Sequence, residues 1–221
     1  MVERTLLVLH IVVLGYWLGA DLVINSTYRY VSWSRDMPFA ERNRLMEHVM
    51  LVDQHVRYAL VLQLALGTSL AALRGYVPYG RITIAIATIV AVAWIVLLEL
   101  VHRLRHTARG ELLNTIDLTA WICAGVLLLA VSAASAGNYF GLPNWLALKL
   151  ALFGGVFLLG VGIRVALKGF FVAWQEVGEQ GSNDPRETAI RRGYVNATGV
   201  LVLLWIAIAV ITVVSIWGPV H

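Results

Sequence analysis

Residues 82–101 read ITIAIATIVAVAWIVLLELV, twenty residues with a single charge, Glu99. A helix of about twenty residues at ~1.5 Å per residue matches the ~30 Å hydrocarbon core of a bilayer. The run lacks the period-2 alternation of a barrel strand. Lipid offers backbone amides no partner, so a spanning segment that is not a barrel strand must be a helix. This stretch sets the fold class as an all-α membrane protein.

Five further runs of the same kind lie outward from it: Thr5–Ile24, Leu51–Leu73, Leu118–Gly137, Trp145–Val165 and Val195–Trp217. The second is the weakest, because Asp53, His55 and Arg57 interrupt its start. The chain of 221 residues is 59% hydrophobic and 14% charged, against about 25% charge in a soluble domain. With a mean hydropathy of +0.76, lipid must be the solvent over most of its length. The expectation is a polytopic bundle of six transmembrane helices, with residues 1–221 forming a single bundle and no soluble domain.

Two connecting segments read as more than linkers. Residues 39–50, FAERNRLMEHVM, place Leu45, Val49, Val52 and Val56 at helical spacing, the pattern of an interfacial amphipathic helix entering the second span. Residues 175–188, QEVGEQGSNDPRET, read as a mobile polar loop.

Arginine and lysine set the orientation. Thirteen lie at the first, third and fifth loops and their helix ends, from Arg29 to Arg192, whereas Arg4, Arg74, Arg81 and Lys149 lie toward the other side. The positive-inside rule then puts both termini outside the cytoplasm, in a multi-pass protein of the cell's inner (plasma) membrane. The same rule accounts for the net charge of +4, so no nucleic-acid partner is implied. The N-terminal run contains Asp21 and no clean small-x-small site follows it, so it does not read as a cleavable signal. Cys123, the one cysteine, excludes an intrachain disulfide.

Charged or imidazole groups inside a span are costly, so each needs a reason. His10 in the first span and Lys149 in the fifth fall at similar depth under this topology, about 6–8 Å from their helix starts. A neutral imidazole there can ligate haem iron; it can equally bond a neighbouring carbonyl while Lys149 snorkels outward. His10, Trp17 and Asp21 share one helix face, and Gly15 with Gly19 forms a small-xxx-small pair suited to close helix approach or to a flat macrocycle.

A second polar group collects near the other membrane face: Asp21, Asp53, His55, Glu99, His102, His106 and Asp117. Glu99, His102 and His106 share a face of the third span, an arrangement that binds a metal when a second such helix opposes it. The alternative is pairing with Arg57 and Arg103. His55 and His102 are also candidate ligands of a second, inner haem. Met46, His48 and Met50 offer soft copper ligands, but residues two apart on a helix point to different faces. Walker A, G-x-G-x-x-G, C-x-x-C-H, H-E-x-x-H and G-x-S-x-G motifs are absent.

The first span, LHIVVLGYWLGADLVINSTYRYV, resembles the opening helix of HemJ/CopD-like membrane proteins, with a histidine near the outer end followed by tryptophan and glycine. RLMEHVMLVDQHVRYALVLQLALGTSLA resembles that group's amphipathic helix and glycine-bearing second span, and NWLALKLALFGG a later helix carrying a lysine. These stretches cover about a third of the chain. The resemblance implies a b-type haem and redox chemistry, with His10 as iron ligand and Lys149 as ligand or propionate partner. HemJ-like chains have four spans, and here Ile82–Val101 and Leu118–Gly137 stand between the matching segments.

The expected function is that of a haem-b membrane oxidoreductase or electron-transfer subunit, exchanging electrons with a quinone or a porphyrin-like substrate. Trp17, Trp94, Trp121 and Trp205 are candidates to line the pocket or simply to pack the core. The competing readings are a copper or metal transport protein, and a membrane anchor that docks a soluble partner subunit. A homo-oligomer is compatible with each.

Overall fold

The computed structural model describes residues 1–105, 107–137, 139 and 141–217. Among them the chain is all-α: α1 (Val2–Trp33), α2 (Phe39–Leu73), α3 (Gly80–Arg103), α4 (Ala108–Ala136), α5 (Asn144–Ala166), α6 (Lys168–Gln180) and α7 (Asp184–Trp217). Six of these, with α5 and α6 running together as Asn144–Gln180, are long and apolar enough to cross a membrane. The protein is therefore a multi-pass membrane protein, with the six spans expected from hydropathy.

The helices overrun the apolar runs that announced them. The 35 residues of α2 make a rod about 52 Å long, so about 20 Å stands beyond the hydrocarbon core. Residues 39–50 are thus the first third of one continuous helix with the second span, with Arg42, Met46 and Val49 buried along it. Pro38 and Pro143 sit immediately before α2 and α5, where a fixed φ and a missing N–H cost a helix nothing. The end of α2 is closed by Gly75 at φ +75°: Tyr76 N donates to Ala71 O at 3.0 Å and Gly75 N to Ala72 O at 3.2 Å. This 6→1, 5→2 pattern needs the left-handed conformation that glycine adopts freely.

The expected mobile loop at 175–188 is corrected. Its first part completes α6 and its last part opens α7, leaving residues 181–183 as the connection. The reason is a small apolar interface that composition hides. Phe170, Trp174 and Val177 on α6 and Ile190, Tyr194 and Ala197 on α7 are buried, and each set has the spacing i, i+4, i+7. Asn183 Oδ1 accepts from Arg186 N at 3.0 Å and caps the start of α7.

Contacts group the chain into two units, Met1–Asp117 and Leu118–His221, with the boundary inside α4. In the first, α1 and α3 each pack along α2. In the second, α4 and α5 cross where Gly125 faces Gly154, and α7 packs on both α5 and α6.

Candidate functional site

Within the first unit α1 and α2 run antiparallel in a fixed register. Arg74 Nε pairs with Glu3 Oε1 at 2.8 Å at one end, and Tyr28 Oη reaches Met50 Sδ at 4.0 Å toward the other. Between them the imidazole of His10 faces Gly67: a Cβ on Gly67 would lie 3.4 Å from His10 Cε1. His10 is half-buried and its Nδ1 is buried. Trp17 and Asp21, on the same face of α1, are 2% and 6% exposed, so this face turns into the protein. Gly15 and Gly19 lie on another face, where a Cβ on either would meet nothing from another helix within 4 Å, so they make no close helix approach and do not flank His10.

One turn before Gly67, Gln63 is 5% exposed and its Oε1 is buried without a hydrogen-bond partner among the described residues. A buried, unspent amide oxygen is uncommon in a folded protein and costs ~1–3 kcal/mol. Sequence reading passed over Gln63, and met Gly67 only as the glycine of the second span in the HemJ/CopD-like resemblance. The signal was there: one amide and one glycine, four residues apart, within the apolar run VLQLALG.

The second polar group separates into two paired sets. On one side of α2, Arg57 Nε pairs with Asp53 Oδ2 at 3.0 Å, and Arg57 Nη1 lies 3.9 Å from Asp117 Oδ2. The indole Nε1 of Trp94 donates to Asp117 Oδ1 at 3.1 Å. On the other side, Gln54 Nε2 donates to Leu98 O and to Tyr58 Oη, each at 2.9 Å. Tyr58 Oη donates to Glu99 Oε2 at 2.6 Å, and Glu99 Oε1 pairs with Arg103 Nε at 2.5 Å.

The carboxylates are thus held by arginine, tyrosine and indole rather than converging on one point. Among the described residues no group of three or more His, Cys, Asp or Glu is placed to hold a metal ion. His102 is half-buried in the last turn of α3, and His106 lies outside the described residues. Met46 is buried at 3% while His48 is exposed, so the M-x-H-x-M string spreads over different faces.

His55 stands apart from both sets. It is exposed, and its ring lies between Tyr16 (centroids 6.4 Å, 66° between planes) and Tyr58 (6.1 Å, 59°).

In the second unit Lys149 is half-buried in the second turn of α5. Trp121 packs on Phe157 at 5.1 Å and under the Arg164 guanidinium at 5.1 Å, as a core aromatic would. Trp205 is half-buried on α7.

Against known proteins, the chain matches no family model, no curated protein and no solved structure. The HemJ/CopD resemblance accordingly rests on the sequence stretches that carry it.

Proposed function

We propose that the chain is a b-type haem protein of the cell's inner membrane, with both termini outside the cytoplasm, that carries electrons to or from a quinone or a porphyrin-like substrate. The observation that carries this reading is His10 against Gly67. An imidazole is held on the inward face of an apolar helix pair, beside a residue with no side chain. Imidazole is the common protein ligand of haem iron. Haem b, when bound, supplies the one-electron chemistry, and the protein supplies position, exclusion of water and electrostatics.

The residues fit such a group in three respects. His10 provides the ligand, Gly67 lets its ring lie close against α2, and the unspent Oε1 of Gln63 is a buried polar atom one turn away on α2. Trp17, 2% exposed on the same face of α1, keeps that face dry. The reading rests on His10 within the first unit. His55, which lies between the rings of Tyr16 and Tyr58, and His102, in the last turn of α3, are not part of it.

An oxidised-minus-reduced visible spectrum of the purified protein tests the proposal. A sharp b-type α-band that is lost in His10→Ala and kept in His55→Ala and His102→Ala is the expected result. A colourless preparation from haem-replete cells, or a band indifferent to His10→Ala, overturns it.

A further inference from the structure

The start of α2 borders a cavity that the paired sets do not reach. It is half-open, holds about 750 Å³, and lies where the end of α1 meets the first turns of α2. Glu41, Arg44, Leu45 and His48 line it from one face of α2, at spacing i, i+3, i+4, i+7. Tyr30 of α1 and Met37 of the connection complete it, together with Glu47 and Leu51. Its size falls within the roughly 300–1,000 Å³ of small-molecule sites.

The charges on this cavity are unspent. On the same helices Arg57 pairs with Asp53, and Arg103 with Glu99, each one turn away. Arg44 has Glu41 one turn before it and Glu47 one turn after, and pairs with neither. Among the described residues the side chains of Glu41, Arg44 and His48 make no hydrogen bond or ion pair, whereas Glu47 accepts from Asn43 Nδ2 at 3.0 Å. Arg29 and Arg35 stand outside the lining, and Arg42 is spent on Val31 O on the buried face.

Depth narrows the kind of ligand. Arg74, paired with Glu3 and half-exposed, marks one membrane surface. Along α2 from it, Leu51 lies about 34 Å away, His48 about 39 Å and Arg44 about 45 Å. A bilayer measures about 40–45 Å across both head-group layers, so the cavity lies in the far head-group layer. Leu51, 49% exposed, stands at its hydrocarbon end, and Glu41, about 50 Å along, at its watery edge. The lining thus begins apolar, offers Arg44 and His48 at mid-depth, and ends on a carboxylate. Acyl chain, phosphate and ammonium follow one another in the same order in an aminophospholipid. A primary ammonium brings Glu41 both charge and N–H donors; a glycerol head group brings hydroxyls alone, and a quaternary ammonium has no N–H. We propose that the cavity binds the head group of a zwitterionic aminophospholipid, phosphatidylethanolamine, with its phosphate on Arg44 and His48 and its ammonium on Glu41. The site is separate from His10 and independent of the haem reading.

Carbodiimide coupling tests this, because it joins a carboxylate to a primary amine only where the two are in contact. The full-length protein is placed in nanodiscs of phosphatidylethanolamine and phosphatidylcholine, coupled, digested and mapped. Ethanolamine-lipid adducts on Glu41 should exceed those on Asp36 and Glu111, both exposed, about fivefold or more, the scale of one hydrogen bond. Arg44→Ala should lower the Glu41 adduct about tenfold, the scale of a lost charge-assisted bond, and Arg44→Lys should restore part of it. Arg29→Ala, outside the lining, should couple as the parent does. Equal adducts on Glu41, Asp36 and Glu111 would mean an ordinary solvated face and overturn the proposal, as would adducts indifferent to Arg44→Ala. Phosphatidylglycerol that suppresses the adduct as well as an uncoupled excess of phosphatidylethanolamine does would make the site one for anionic lipid. Soluble glycerophosphoethanolamine that does so would make the ligand a soluble one. Either result removes the aminophospholipid.

Discussion

The indole Nε1 of Trp94 on α3 donates to Oδ1 of Asp117 on α4 at 3.1 Å, and the Asp117 carboxylate is fully enclosed. This bond ties the start of α4 to α3, and Arg57 Nη1, 3.9 Å from the other oxygen, adds α2 to the same group. Moving a carboxylate out of water costs several kcal/mol unless donors and an opposite charge meet it. Trp94→Phe keeps an aromatic ring but deletes the N–H and the five-membered half of the indole, and should lower stability by ~1–3 kcal/mol or more, a lost donor plus lost buried volume. Asp117→Ala should cost more, because Arg57 then keeps Asp53 alone. Thermal unfolding in detergent reads both. A Trp94→Phe protein as stable as the parent would show that neither the bond nor the volume lost with it contributes.

Gly67 controls the space beside His10. A Cβ there lies 3.4 Å from His10 Cε1, at the edge of ordinary contact. Gly67→Ala should therefore be tolerated, with haem content within about twofold of the parent, since an imidazole ring shifts by a few tenths of an ångström at small cost. Gly67→Val and Gly67→Leu demand more space than the ring yields. Haem content per protein, from absorbance after extraction, should fall in that order. Full occupancy in Gly67→Leu would sever the link between this contact and the pigment.

Six spans were legible because each is a run that only lipid can solvate, and the paired fate of Glu99 and Asp53 was legible because Arg103 and Arg57 stand four residues away. What escaped depends on partners distant in sequence. Arg42 reads as a solvated charge on an amphipathic helix, yet it is 1% exposed with its Nε on Val31 O at 3.0 Å, a carbonyl near the end of α1. Nothing near Tyr58 in sequence announces its bond to Glu99, 41 residues on. The α6–α7 hairpin was missed for another reason. Gly, Asn, Asp and Pro between residues 178 and 185 announce a turn but not its length, and polar residues dilute the 3.6-residue period on either side.

That hairpin makes a prediction of its own at Gly193. A Cβ there would stand 2.7 Å from Phe170 Cβ and 3.1 Å from the Phe170 backbone nitrogen. Backbone cannot swing aside as a side-chain tip can, so α6 and α7 would have to part. Gly193→Ala should destabilise by ~1–3 kcal/mol despite alanine's better helix propensity. Gly199→Ala, with nothing within 4 Å, should be neutral or slightly stabilising. Limited proteolysis between residues 175 and 190 should accelerate in the first variant alone. Equal behaviour of the two would mean that the α6–α7 crossing is not close-packed.

Orientation is open to a direct chemical test, because a chain that crosses six times must have the connections before α2, α4 and α7 on one side of the membrane and those before α3 and α5 on the other. Arginine and lysine concentrate at the first set, which the positive-inside rule assigns to the cytoplasm. The one native thiol, Cys123, is exposed, so it is first replaced by alanine. Single cysteines are then introduced at Ser34, Tyr79, Gly141 and Ser182, and intact cells are treated with a membrane-impermeant maleimide. Positions 79 and 141 should label in intact cells, and 34 and 182 only after permeabilisation. The mirror-image result would invert the protein and place His55 at the outer boundary. Labelling that separates 34 from 182 would mean that the continuous rod Asn144–Gln180 does not cross once, and the six-span count itself would fall.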